Sequence, residues 1–149
     1  MIVPGQTSIS VSWPMRVARW ALVGVEGVVA AGAVYGGVGL IAGNAIHISD
    51  DWLVGTPFDS WLLPGIFLLL VVAVPMLVAV VAELFRIPWA YGASLLAGAA
   101  QIGWIVAQWV IMQRFFVLQP VMLTAGLVVV LLARAAHRGN PRPAGGRAN

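Results

Sequence analysis

VARWALVGVEGVVAAGAVYGGVGLI, residues 17–41, decides the fold. It is 25 residues long and carries two charges, Arg19 near its edge and Glu26 inside. At about 1.5 Å rise per residue it reaches roughly 37 Å, enough to cross a hydrocarbon core of about 30 Å with some tilt. Arginines ahead of an apolar run also open a signal peptide, but the apolar core there is only about 7–15 residues. This helix is therefore expected to be retained as a membrane span.

The rest of the chain repeats that character. Of its 149 residues 61% are hydrophobic and 9% charged, where a soluble domain carries about 25% charged residues. Further apolar blocks cover residues 64–83, 90–112 and 117–133. The expected fold is all-α and integral to the membrane: a four-transmembrane-helix bundle over residues 17–138. Residues 1–16 read as a flexible or interfacial arm, and residues 139–149 (GNPRPAGGRAN) as a tail with no apolar content to bury.

Several function classes fall away on composition. The chain has no cysteine, so disulfide frameworks, thiol redox chemistry and thiolate metal sites are excluded. All eight basic residues are arginine, which reads as GC-rich codon usage. The pI of about 10.7 reflects scarce acids. No arginine cluster is interleaved with aromatics as nucleic-acid binding requires, so no nucleic-acid partner is expected.

Small residues stand four apart along the first span, as Gly32 with Gly36, Ala33 with Gly37, and Gly39 with Gly43. That spacing lets helix backbones approach closely, which is how membrane helices associate. Packing inside the bundle is the expected use of Gly32, Gly36, Gly37 and Gly39, with a homo-oligomer seam as the alternative. In the second span Pro75 cannot donate to the carbonyl of Val71, so a kink is expected there. In the third, Gln101, Trp104 and Gln108 share one helix face with Ala93 and Ala97, and glutamine is costly against lipid. That face should look inward.

Glu26 is the one ionisable group deep within these spans. It lies about nine residues into its helix, and Gln101 about eleven residues into a helix entering from the same side, so the two reach similar depth. A Glu26–Gln101 hydrogen bond is expected, with Glu26 protonated because hydrocarbon penalises the charged form. Intramembrane carboxyls mark proton and ion paths, and a carboxyl bonded across helices also serves simple packing.

The loop at 44–63 holds His47, Asp50, Asp51 and Asp59. Ser49 is placed to cap a turn beginning at Asp50 and ended by Gly55, Asp59 to cap a second helical start, and Pro64 to take the first position of the second span. Trp52 and Trp61 suit a membrane interface. Asp50, Asp51 and His47 have the chemistry of a divalent-ion site, but without calcium-loop spacing they read as solvated. His47 and His137 fall on opposite sides of the membrane. No metal, no cofactor and no enzymatic activity is expected, since nothing has the pattern of a nucleophile with its base or a phosphate loop.

The segment GTPFDSWLLPGI, residues 55–66, resembles small four-span membrane proteins common in high-GC bacteria, in which G-[ST]-P-F-x-x-[YW]-L-[IL]-P-G leads into the second helix. Gly55, Pro57, Phe58, Leu62, Pro64 and Gly65 match as they stand. The resemblance implies the four-span fold and loop-to-helix geometry, and carries no activity.

Two function classes are left. The first, and the expected one, is a non-catalytic accessory or scaffold subunit packed against larger membrane-protein subunits, as in a multi-subunit transporter or lipid importer. Its partners would be those subunits and the lipid bilayer. The second is a small proton-coupled transporter using Glu26. Either belongs in a bacterial cytoplasmic (inner) membrane. Arg16, Arg19, Arg86, Arg134, Arg138, Arg142 and Arg147 flank one side, and Arg114 with the three aspartates the other. The positive-inside rule then puts both termini in the cytoplasm. Reporter fusions at Asn149 and beside Asp51 should report opposite sides, with Asn149 cytoplasmic; equal signals at the two sites would overturn this topology.

Overall fold

Each apolar block folds as one helix. The structure, a computed structural model, describes residues 12–138. It comprises α1 (Ser12–Ile41), α2 (Leu62–Leu84), α3 (Ala90–Met112) and α4 (Leu118–His137), with a single 3-10 turn at Asp50–Trp52. No strand occurs among the described residues, and all four helices are long and apolar enough to cross a membrane. Most of the expected N-terminal arm (1–11) and the expected tail (139–149) lie outside the described residues. The last arm positions, 12–16, already belong to α1. The fourth helix continues past Ala133 to His137.

The helices alternate in direction and form a ring in which α1 packs on α2, α2 on α3, α3 on α4 and α4 back on α1. The core they share is built largely of alanine: Ala30, Ala33, Ala73, Ala79, Ala82, Ala93, Ala97 and Ala133 surround Leu22, Val72, Met76 and Val129. Large apolar side chains instead cover the outside, with Val28 and Tyr35 about three-quarters exposed (74% and 75%). A bundle that hides alanine and displays valine, leucine and tyrosine suits a solvent that is itself apolar.

Two glycine pairs set the close crossings. A Cβ on Gly65 would stand 2.9 Å from the carbonyl oxygen of Gly37, and one on Gly37 would stand 3.1 Å from that of Gly65. At the α3–α4 crossing, Gly98 and Gly126 meet in the same reciprocal way, at 3.1 and 3.2 Å. Without side chains at these four positions the backbones can touch. Of the glycines expected to pack helices, Gly36 faces Leu68 and Gly37 faces Leu69 and Gly65, both on α2. The other two differ. Gly39 is covered by Ile46 of its own following loop, and a Cβ on Gly32 would meet nothing within 4 Å. Spacing four apart does not say which face of the helix the glycines occupy.

The proline of α2 is absorbed by a wider turn. Residues Leu69–Ala73 form a π segment in which Val74 N–H reaches back to Leu69 O. Pro75 has no N–H for Val71 O, and the local five-residue spacing reorganises the ladder where the donor is missing. The start of α2 also differs from expectation. The helix begins at Leu62 with Trp61 as its cap, so Pro64 is third and Asp59 is not the cap. Pro64 still lies in the first turn, where a missing N–H leaves no bond unmade. Ser49 does cap its 3-10 turn, accepting from Asp51 N–H at 3.3 Å.

Gly65→Ala should lower stability in detergent, because its Cβ would press on the Gly37 carbonyl and Leu40, whereas Gly32→Ala should be neutral or gain up to about 1 kcal/mol in helix propensity. Thermal unfolding of the two variants checks this; equal losses would mean the crossing is not at Gly37–Gly65.

Candidate functional site

The inward stripe of α1 is Arg19, Leu22, Glu26, Val29, Ala30, Ala33, Gly37 and Leu40, the i, i+3, i+4, i+7 pattern of a buried helix face. Two of its residues carry charge chemistry, and both meet polar partners from other helices. The result is a column of polar groups running from one end of the ring towards its middle.

The outer tier lies at the arginine-rich end. Glu83, in the last turn of α2, has a side chain only 2% exposed. Arg19 Nε donates to its Oε2 at 3.2 Å, and a second Arg19 nitrogen donates to the Glu83 main-chain carbonyl. His137, at the end of α4, brings Nε2 to 3.4 Å from Glu83 Oε1 while its Nδ1 lies 3.0 Å from Ala133 O. Tyr91 of α3 covers the imidazole, with ring centroids 5.1 Å apart. All four helices thus contribute to one polar junction.

The inner tier lies about two turns deeper. Glu26 is seven residues beyond Arg19, roughly 10 Å along the helix axis. It is fully buried, and neither carboxyl oxygen has a hydrogen-bond partner among the described residues. The buried Ser94 hydroxyl stands beside it, within interaction range but short of hydrogen-bond geometry. Ser94 is three residues after Tyr91, so one face of α3 serves both tiers.

The expected Glu26–Gln101 bond is not formed. Gln101 is buried on the inward face of α3 as expected, but its amide donates to Met122 O of α4 at 3.3 Å. Matching depth placed the two residues at one level without fixing which neighbour each would face. Gln108 lies two turns further on and is half-buried. Among the loop-to-helix residues, Pro64 and Gly65 are buried at the α1–α2 crossing, Pro57 is exposed, and Phe58 stacks towards Phe67, which reaches Trp104 of α3. These are packing roles.

The loop acids are not gathered. Asp50 accepts from Trp61 Nε1 at 2.8 Å, and Asp51 receives the Ser49 hydroxyl at 3.2 Å. No group of three His, Asp or Glu that could hold a metal occurs among the described residues.

Glu83, Ser94 and Tyr91 were not singled out by sequence reasoning, and Arg19 and His137 were read only as a flanking charge and as a lone histidine. One signal was available: Glu83 is the sole acidic residue at the arginine-rich end. A second polar staple was also missed. Gln119 Oε1 accepts both Trp109 Nε1 at 2.6 Å and Phe116 N–H at 3.0 Å, tying α3 to the start of α4 at the other end.

No protein-family model, curated protein or solved structure matched the chain. The column is therefore read from its geometry.

Arg19→Met should destabilise the bundle by on the order of 3 kcal/mol, because it strands a buried carboxylate. Adding Glu83→Gln should recover part of that loss. A double-mutant cycle by unfolding in micelles checks it; losses additive within about 0.5 kcal/mol would mean the two are not coupled.

Proposed function

We propose that this chain is a small proton-coupled transporter of a bacterial cytoplasmic membrane, in which Glu26 takes up and releases the proton. One observation carries the reading: Glu26 is fully buried at mid-span with both carboxyl oxygens unbonded. A buried polar group left without a partner costs about 1–3 kcal/mol. The Gln101 amide, which reaches a similar depth, donates to Met122 O instead. Ionisable groups inside membrane bundles belong to ion and proton paths. Here Glu26 has a second buried carboxyl, Glu83, and a hydroxyl, Ser94, in its surroundings.

The accessory-subunit reading keeps one observation in its favour. Gly24, Gly27 and Gly32 of α1 have open space where a Cβ would stand, so three helix-weakening residues serve no close packing among the described residues. A larger subunit's helix lying against α1 would give them one.

Infrared spectroscopy separates the two without knowledge of the substrate. In wild-type protein in liposomes, a carboxylic C=O band that disappears in Glu26→Gln should rise and fall with pH while the fold is retained. Glu26→Gln itself should fold and insert normally. A Glu26 band that does not respond to pH, together with stoichiometric co-purification of larger subunits from native membranes, would overturn the transporter and leave the accessory subunit.

A further inference from the structure

The outer tier has a proton-counting problem that its geometry solves in only one way. Arg19 occupies Glu83 Oε2 and the Glu83 main-chain carbonyl, and arginine is permanently charged and donates only. Oε1 is thus the one oxygen of this carboxyl left without a hydrogen bond, and it is buried. On the other side, His137 Nδ1 faces the carbonyl of Ala133. A carbonyl can only accept, so Nδ1 carries a hydrogen and Nε2 is the one ring nitrogen left to exchange a proton. These two remaining atoms face each other at 3.4 Å. Without a further proton, both would present lone pairs across that gap.

We propose that His137 and Glu83 hold one exchangeable proton between Nε2 and Oε1, and that this pair is the entrance through which Glu26 is loaded from the arginine-rich side. The step balances simply. Imidazolium at His137 gives the proton to the Glu83 carboxylate, leaving a neutral imidazole and a neutral acid; the proton then moves inward through water over the two turns between the tiers to the Glu26 carboxylate, and Glu83 is again an anion for Arg19. The unbonded Ser94 hydroxyl beside Glu26 can accept on its lone pair while donating its own hydrogen, and ends unchanged.

The placement fits an entrance. The His137 side chain is 25% exposed and Glu83 is 2% exposed, so one partner meets water and the other faces the core. The groups facing the pair come from every helix: Arg19 and Glu26 from α1, Tyr91 from α3, with Glu83 on α2 and His137 on α4. Among the described residues the remaining charges of this end, Arg16, Arg86, Arg134 and Arg138, are exposed.

This inference rests on Glu26 as the proton site, and one experiment tells the two apart. Full-length protein in liposomes, in a His47→Ala background, is followed through the Glu26 carboxylic band after a rapid pH jump on the arginine-rich side. His137→Gln should reach the same final Glu26 signal but on the order of 10²-fold more slowly, the usual contribution of a placed acid–base group. Imidazole added to the buffer should restore the rate, which a merely structural histidine would not allow. If His137→Gln does not fold, carbethoxylation of His137 in the folded protein blocks the ring nitrogen and gives the same comparison. Loading at the wild-type rate, or slowed loading that imidazole does not rescue, overturns the entrance while leaving Glu26 intact. A Glu26 band that never responds to pH overturns both.

Discussion

A carboxylate inside a helix bundle must be held by groups from outside its own helix, and the burial of Glu83 sets much of what surrounds it. Taking the Glu83–Arg19 pair out of water costs several kcal/mol per ion before any attraction is regained. Such a pair is a poor source of net stability. What it supplies is register. Arg19 bonds both the side chain and the main-chain carbonyl of Glu83, and that carbonyl, in the last turn of α2, also accepts the Arg86 N–H at 3.2 Å. The guanidinium is therefore an ion-pair partner and a C-terminal cap at once, at the helix end where a cation is favoured. α1 cannot slide against α2 without breaking both contacts.

The packing along the rest of the bundle makes that register tight. The core is mostly alanine, and two glycine pairs bring carbonyl oxygens to the edge of van der Waals contact. Close backbone approach leaves little room for a buried polar side chain to find a new partner by rotating. This is why Glu26, pointing between such helices, can remain unbonded while Gln101, a few residues from the Gly98–Gly126 crossing, reaches a backbone carbonyl of α4. A looser core of leucines would let both side chains relax towards each other.

The four spans were legible because each is a long apolar run, and length with hydropathy answers a question the bilayer asks of every span alike. Boundaries differed where local capping decided them, as at Leu62 and at His137, where an amphipathic last turn extends the fourth helix beyond its apolar run. The site was legible only in its single deepest member. Glu26 and Gln101 were picked out because each is an anomaly in its own helix, a property one segment reveals. Glu83, Arg19 and His137 are unremarkable alone, since charged residues at span ends are ordinary. Their meaning lies in convergence: residues 64 and 54 positions apart in the chain meet at one carboxylate. That convergence depends on ring order and helix rotation, which single-helix patterns do not contain. The same limit explains Gly32, whose spacing is right and whose face is wrong.

The two ends of the bundle are closed by different chemistry. At the end with Arg114 and the aspartates, Gln119 staples α3 to α4, Asp50 accepts from Trp61 Nε1 at 2.8 Å, and Trp52 meets Phe116 edge-on at 5.4 Å across two loops. At the other end the closure is ionisable, with an arginine, a carboxyl and an imidazole. Neutral amide and aromatic contacts hold the same bonds at any proton concentration, whereas a His–Glu contact has a bond only when a proton is present to make it. The ionisable closure arises from where one glutamate and one histidine fall in the last turns of α2 and α4.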